Sequence, residues 1–502
     1  MAISVVDIIF AAIGVFLLRQ LTRARPPAPY PPGPRAYPFI GNLLDMPTQQ
    51  EWKLFSQWGQ VWGDIMSVNV LGQTMVILNS PKLAVDMLER KSSIYSDRPT
   101  LTMGGEIVGW KNTLVLTGYG DRFRSIRKMF HSVIGTKALT TQFLPVEERE
   151  TRRFLKRVLS KPEEIAEHIR WTAGSIILQI AYGYIVKDEA DPIVDIVEKA
   201  TEQFSLATAP GAFLVDIIPA LRHIPDWVPG AGWKKKAANW GKTLNDMTNV
   251  PLDFVKRQIA AGIAPPSFTQ SLLEGGDVVP EEETTIKWAA ASLYSGGADT
   301  TVSAIYTFYL AMTLYPEAQK RAHAEIDAVI GCDRLPTFAD REHLPYVEAL
   351  VKEVLRWNPV TPLGVPHRVT EDDVHEGYYI PKGSLVIANI WQILHDPRTY
   401  SNPLEFDPGR FLKAEPEEDP RSFCFGFGRR ICPGMNLADA SIFISCAMSL
   451  AAFDIAKVVD ASGNVLEPVL DNTSGTISHP KPFPCSIKPR SPKAEALIRS
   501  IE

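Results

Sequence analysis

The run Phe425-Gly426-Phe427-Gly428-Arg429-Arg430-Ile431-Cys432-Pro433-Gly434 decides how the rest of the chain is read. One cysteine sits among glycines, two arginines and a proline, and an apolar stretch from Leu437 to Phe453 follows directly. A thiolate ligates metals, and this setting suits that task. The glycines let the backbone come close to a flat ligand and take positive φ. Backbone N–H groups at the start of the next helix stabilise a negative sulfur. Arg430 can reach an anionic group on the same ligand. The bland alternative is a structural cysteine in a loop before a helix, because free cysteine is commonly buried.

The chain has 502 residues, enough for a large core and above the usual single-domain size. Hydrophobic residues make up 45% and charged residues 22%, as in an ordinary globular protein. A net charge of −5 gives no footing for nucleic acid as a partner. The five cysteines, 332, 424, 432, 446 and 485, are odd in number, irregularly spaced and without a C-x-x-C. Neither a disulfide framework nor a zinc ribbon is expected, and a reducing compartment fits.

Ala2 to Leu18 is apolar apart from Ser4 and Asp7, and Arg19, Arg23 and Arg25 follow. Seventeen helical residues reach roughly 25 Å, the short end for a membrane crossing. A cleaved signal peptide would carry its positive charge before the apolar core. Here the charge comes after, which predicts a signal anchor over residues 1–25 with the following chain in the cytosol. Residues 26–38 are rich in proline and read as a stiff hinge. Residues 39–502 form the catalytic body.

The body reads as mainly α with a small β component. Glu51 to Trp58, Glu147–Ser160, Ala166–Tyr182 and Asp191–Thr208 show helical periodicity. Ile65–Val70 and Thr74–Leu78 flank Leu71-Gly72-Gln73 as a hairpin, and Ser80-Pro81 reads as a capped helix start. Another hairpin is expected around Tyr378–Gly383. Tyr119–Lys128 opens a helix on which Arg124, Arg127 and Lys128 share a face. Phe213 to Trp233 is apolar, broken by prolines and followed by three lysines. It reads either as loop-rich core or as a surface dipping into a membrane interface.

Thr285 to Leu314 reads as a long helix with Gly296-Gly297-Ala298-Asp299-Thr300-Thr301 at its middle. Two interior glycines cost about 1 kcal/mol each relative to alanine, and a buried acid beside two threonines adds more unless satisfied. A packing kink is one explanation. The functional one is a locally loosened helix whose groove admits a small ligand, with threonine hydroxyls to bind it and the acid to relay protons. Glu353 and Arg356 then stand at i, i+3 on a helix, and Phe406-Asp407-Pro408-Gly409-Arg410-Phe411 follows.

F-x-x-G-x-R-x-C-x-G, G-G-A-D-T-T, E-x-x-R and F-x-P-x-R-F, in this order and at this length, resemble the cytochrome P-450 family across nearly the whole chain. That resemblance implies the family's fold with an N-terminal membrane anchor helix. It implies haem b (iron protoporphyrin IX) with Cys432 as axial thiolate, a recognised proximal ligand. Asp299 and Thr300, with Thr301, would be the catalytic acid–alcohol group. Phe425, Gly434, Arg430, His367, Arg127 and Arg124 would bind the cofactor, the cations through its propionates. The family usually has tryptophan where this chain has Phe123, which has no N–H to donate. Glu353, Arg356 and Arg410 would form a buried triad beneath the cysteine loop. Leu363–Val365, Ala298, the stretch from 98 to 116 and Thr473–Ile477 would line an apolar substrate cavity. The tone of Tyr95–Pro99 and Phe423–Gly434 is similar to basidiomycete members that decorate secondary metabolites.

The expected activity is hydroxylation of an apolar small molecule, such as a fungal terpenoid, with O2. No flavin or nicotinamide segment is visible, so electrons are expected from an NADPH-cytochrome reductase, with cytochrome b5 as a further donor, at the endoplasmic reticulum membrane. Two alternatives stand beside it: a haem-thiolate isomerase or dehydratase working on a peroxide, and a non-catalytic haem carrier or sensor.

Overall fold

The computed structural model describes residues 26–187, 191–208, 213–274 and 278–501. The anchor expected over Ala2–Leu18 lies outside them. The longer helices are, in chain order, α1 Glu51–Trp62, α2 Asp121–Ile134, α3 Leu144–Ser160, α4 Ile165–Tyr182, α5 Pro192–Thr208, α6 Gly232–Ala260, α7 Pro280–Leu314, α8 Pro316–Val329, α9 Pro345–Trp357 and α10 Met435–Ala452. The strands are short: β1 Ile65–Val70, β2 Gln73–Leu78, β3 His367–Arg368, β4 Asp373–His375, β5 Tyr378–Ile380 and β6 Leu385–Ala388. Four of them form a mixed sheet in the order β1-β2-β6-β3, with β2 and β6 parallel.

The 35-residue α7 is the spine of the molecule. Its C-terminal half, Thr301 to Thr313, is buried on every side, as expected for a helix with no polar face. It packs against α4 and α10, and α3 packs on both of those. Tyr309, Phe308 and Leu310 are fully shielded there, and each such side chain contributes roughly 1.5–3 kcal/mol of burial. α10 is apolar and long enough to cross a membrane, but it is a core helix, because most of it is buried inside the fold.

Three details depart from the sequence reading. The first hairpin turns on Leu71 and Gly72, both at positive φ, but the Ser80 side chain makes no cap at the helix start. The second hairpin is β4–β5, and its turn is Glu376-Gly377, upstream of the expected position. Helix α7 stays α-helical through Gly296–Thr301, so the expected loosening is absent. Gly297 has a packing reason instead: a Cβ there would lie 2.9 Å from Ile177 Cδ1 on α4. Gly296 has open space above it. The groove comes from a missing side chain, not from a broken helix.

The proline-rich stretch is seated on the sheet. Tyr379 N–H donates to the Pro29 carbonyl at 2.7 Å, and Ser67 donates to the Pro31 and Pro32 carbonyls at 2.6 and 2.8 Å. In the 213–233 segment Leu214, Ile218 and Trp227 are exposed, while Val215 is buried.

Glu353, Arg356 and Arg410 meet beneath the cysteine loop, none more than 1% exposed. Arg356 donates to both Glu353 oxygens at 2.7 and 2.8 Å, and Arg410 Nε to both at 3.1 Å. The remaining donors of Arg356 reach the carbonyls of Leu394, Pro403 and Glu405. Arg410 also pairs with Glu417 at 2.7 Å. Burial raises the Glu417 carboxyl, but donors from Ser401, Lys413 and Arg410 outweigh it and hold the group at about 2. Removing one member leaves a buried charge unpaired. Replacing Arg410 by leucine is therefore expected to lower unfolding free energy by roughly 3–5 kcal/mol, read from urea titration. Glu417 has a depressed pKa, so its stabilisation is complete above the unfolded value near pH ~4.3 and is lost as pH falls toward about 2. A Glu417→Gln chain should lose less stability than the parent over that window, and parallel acid curves would refute the assignment.

Candidate active site

The cysteine loop is shaped by its own backbone. Cys432 N–H donates to the Phe425 carbonyl at 2.8 Å, closing the loop on itself. Gly428 has φ +54°, and a Cβ there would collide with the Leu88 carbonyl oxygen. Only glycine meets both demands. A short helix, Arg421–Cys424, precedes the loop, and α10 begins immediately after Gly434. Arg421 clamps these pieces: it pairs with Glu348 on α9 at 2.8 Å, with Asp439 on α10 at 2.9 Å and with Asp419 at 2.7 Å. Arg341 binds the same Glu348 and Asp439. Helix α9 thus carries two acids, Glu348 and Glu353, that fix the loop from two sides.

Cys432 lines a cavity of about 330 Å³ that lies between this loop and α7. Phe425, Gly426, Phe427, Pro433 and Gly434 share its floor with the sulfur. Gly296, Gly297, Thr300 and Thr301 line it from α7, and Leu363, Gly364 and Val365 from the segment before β3. Leu114 and Val115 add further apolar wall. Ala298 is not part of it; it faces the other side of α7 and packs with the cluster around Trp288 and Leu293. Thr473–Ile477 do not reach it either.

Burial pushes the Cys432 thiol up, while the Gly434 N–H and Arg127 pull it down. The sulfur ionises fully only beside a cation, and a coordinated metal supplies one. Cys424 lines the same cavity, and burial pushes its thiol far above the ordinary value.

One wall of the cavity is cationic. Arg98, Arg127, Arg430 and His367 all line it. Arg430 donates to the carbonyls of Ser96 and Thr117 at 2.7 and 2.8 Å, and its guanidinium sits 3.9 Å over the Phe123 ring. Arg127 donates to the Ile431 carbonyl at 2.7 Å. Arg98, buried, donates to the carbonyls of Val115, Val365 and Pro366. No carboxylate pairs with these three guanidiniums among the described residues. Burial first, and the neighbouring Arg430 second, hold Arg98 well below its ordinary value. Burial and then Arg98 hold His367 neutral, and its Nδ1–H donates to the Tyr95 carbonyl at 2.5 Å.

A buried guanidinium, Arg98, and two half-buried ones, Arg127 and Arg430, none paired with a carboxylate, call for an anion. A flat macrocycle with two carboxylates at one edge and a metal at its centre fits this arrangement: cations at the edge, a thiolate below, a glycine-lined helix above. The residues present therefore fit haem b.

Arg124 stands apart. It is exposed on the outer side of α2, bonded to Asp121 at 2.5 Å, and does not line the cavity. Phe123, without an N–H, serves as the apolar platform beneath Arg430. Thr300 and Thr301 face the cavity, and the Thr300 hydroxyl donates to the Gly296 carbonyl at 2.6 Å. Asp299 is turned outward and meets His479, with Nε2 and Oδ2 3.1 Å apart. Sequence reasoning passed over Arg98, which lay inside a stretch read for its apolar residues. It also passed over His479, a lone histidine 180 positions from its partner with no local signal.

Residues 31–483 match the family described as Cytochrome P-450. The chain is 58% identical over 503 residues to cytochrome P-450 monooxygenase 208 of Postia placenta, covering 99% of this chain and 98% of that protein. It is 48% identical to cytochrome P-450 monooxygenase claR of Ampulloclitocybe clavipes, over 99% of this chain and 93% of that one. With cytochrome P-450 monooxygenase CLM2 of Gibberella zeae it shares 44% identity over 94% of this chain and 91% of the other.

If the cationic wall holds the propionates, Arg430→Ala should release haem to an apo-globin acceptor at least about tenfold faster, since a charge-assisted bond contributes ~1.5–3 kcal/mol. Arg124→Ala should release it at the parent rate. Equal rates for all three proteins would remove Arg430 from the site.

Proposed function

The chain belongs to the cytochrome P-450 family, and on that premise we propose that it hydroxylates an apolar small molecule, a fungal secondary metabolite of the terpenoid kind. The enzyme is a cytochrome P-450 monooxygenase, and its cofactor is haem b. When bound, haem supplies the iron chemistry that activates O2 for insertion into a C–H bond.

One observation supports the reading above all: Cys432 lines the same cavity as Gly296, Gly297, Thr300 and Thr301 of α7. In this proposal Cys432 would hold the haem iron as its thiolate ligand. The Thr300 hydroxyl, held by the Gly296 carbonyl, presents a hydrogen-bonding group toward the reaction space. Asp299, beside it, is the proton source. Leu114, Val115, Leu293, Val360, Leu363 and Val365 orient the substrate and exclude water from it. Away from the cationic edge, the carboxyl among the described lining residues is Glu147, whose pKa burial pushes well above its ordinary value, and this suits a neutral, apolar molecule.

Electrons in this proposal come from an NADPH-cytochrome reductase, with cytochrome b5 as an auxiliary donor. Residues 1–25 anchor the chain in the endoplasmic reticulum membrane, 26–38 link the anchor to the body, and 39–502 face the cytosol. The exposure of Leu214, Ile218 and Trp227 supports a contact with the same membrane.

In haem-loaded protein, the ferrous carbon monoxide difference spectrum should show the thiolate-type Soret band, and Cys432→Ser should abolish it. Thr300→Ala should keep the band but divert NADPH-derived electrons to released hydrogen peroxide. A parent protein without the band would sink the assignment of Cys432. A Thr300→Ala enzyme as tightly coupled as the parent would sink that of Thr300.

A further inference from the structure

Asp299 does not line the cavity, although its neighbours Thr300 and Thr301 do. Its carboxylate instead meets His479, with Nε2 and Oδ2 3.1 Å apart. The two side chains are 24% and 17% exposed. The pair is partly buried yet still reached by solvent, so protons can exchange between it and water.

The loop carrying His479 is held with care. His479 N–H donates to Thr473 Oγ1 at 3.0 Å, and its carbonyl accepts from Thr473 N–H at 2.9 Å. The preceding Ser478 carbonyl accepts from Ser303 Oγ at 2.5 Å, one turn of α7 beyond Asp299. Ser478 N–H donates to the carbonyl of Val360, a cavity-lining residue. Asn472, at the base of the loop, bonds Asn358, which in turn donates to Thr307 of α7. The imidazole is thus fixed relative to the helix that bears the acid. The charged groups flanking the loop, Asp471 and Lys481, pair with each other at 2.6 Å, which leaves His479 and Asp299 to face one another.

We propose that His479 is the outer station of the proton route, positioning Asp299 and recharging it. This rests on the monooxygenase reading above. The imidazolium Nε2–H gives its proton to Asp299 Oδ2, leaving a neutral imidazole protonated at Nδ1 and a neutral carboxylic acid. Freed of its charge partner, the acid turns inward and passes the proton to the hydrogen-bonded Thr300 hydroxyl, which relays a proton to the reaction space. The carboxylate turns back, and Nε2 takes a new proton from solvent. Each step moves one proton and no electrons. The outward resting position of Asp299 keeps a charge out of the apolar cavity between turnovers.

The experiment uses the haem-loaded full chain with a reductase, 7-ethoxycoumarin as probe, and the variants His479→Ala, His479→Gln and Asp299→Asn. Peroxide and water formed per NADPH are measured in light and heavy water. In parallel, the His479 imidazole is titrated by NMR in the ferrous carbon monoxide form, its signal identified by its loss in His479→Ala. The expected result is about a tenfold rise in the peroxide-to-water ratio for both His479 variants, a modest share of the 10²–10⁴ that a positioned proton donor contributes. The solvent isotope effect should change with it, while the carbon monoxide band and melting temperature stay at parent values. Glutamine restores a structural tether but carries no exchangeable acid proton, so rescue by His479→Gln would overturn the relay. In the NMR arm, Asp299→Asn should shift the His479 imidazole resonances, and unchanged resonances would overturn the pairing. A parent enzyme that fails to oxidise NADPH would bring down the monooxygenase reading and the relay with it. A working parent with unaffected variants would bring down the relay alone.

Discussion

A carboxylate with no solvent contact, Glu353, binds two guanidiniums from different parts of the chain. One is its helical neighbour Arg356, and the other, Arg410, comes from 57 residues further on. Buried ions are costly alone, so the three hold one another in place. Arg356 spends its other donors on carbonyls of the irregular segment 394–405, which has little regular structure to fix it otherwise. His395, packed beside Arg356, is driven down to about 3 by burial and by that positive neighbour, and so stays neutral. The same helix presents Glu348 to Arg341 and Arg421 at the mouth of the cysteine loop. Of these two acids on α9, Glu353 fixes the 394–417 segment and Glu348 fixes the helix that leads into the cysteine loop.

The cavity above the loop shows opposite electrostatic solutions at its two sides. Toward Arg98, Arg127 and Arg430 the chain has gathered cations with Asp97 nearby but no carboxylate paired to them among the described residues. Burial, outweighing Asp97, brings Arg430 to about 10. This is an arrangement under tension, relieved by a dianionic ligand. Toward α7 the chain has done the reverse and kept charge out. Thr300 and Thr301 are neutral, and Asp299 is drawn outward to His479. Under the proposed function, a hydrophobic substrate space and a proton supply would thus lie side by side.

The glycines of the central helix divide the same labour. Gly297 lets α7 and α4 close to contact at Ile177, while Gly296 leaves room over the cavity. Neither breaks the helix, because α7 is clamped along its length by α4 and α10. Tertiary packing overrides the local cost of two adjacent glycines.

Periodicity settled the mainly helical fold with its small sheet, and motif spacing the cysteine loop and the Thr300-bearing helix, while the Glu353–Arg356–Arg410 network was implied by the family resemblance those motifs carry. All of these are written in local patterns: i, i+3 pairs, glycine placement, a fixed spacing around one cysteine. The sequence could not place Arg124 outside the cavity and Arg127 within it, because three residues on a helix differ by direction, and direction is decided by what the helix packs against. It could not draw Arg98 into the cationic wall or His479 to Asp299, since neither residue has a partner nearby in sequence. Nor could it tell a loosened helix from a continuous one with a side chain missing. Those were decided only when distant segments came together, where burial, charge pairing and steric contact are set by neighbours the local sequence does not contain.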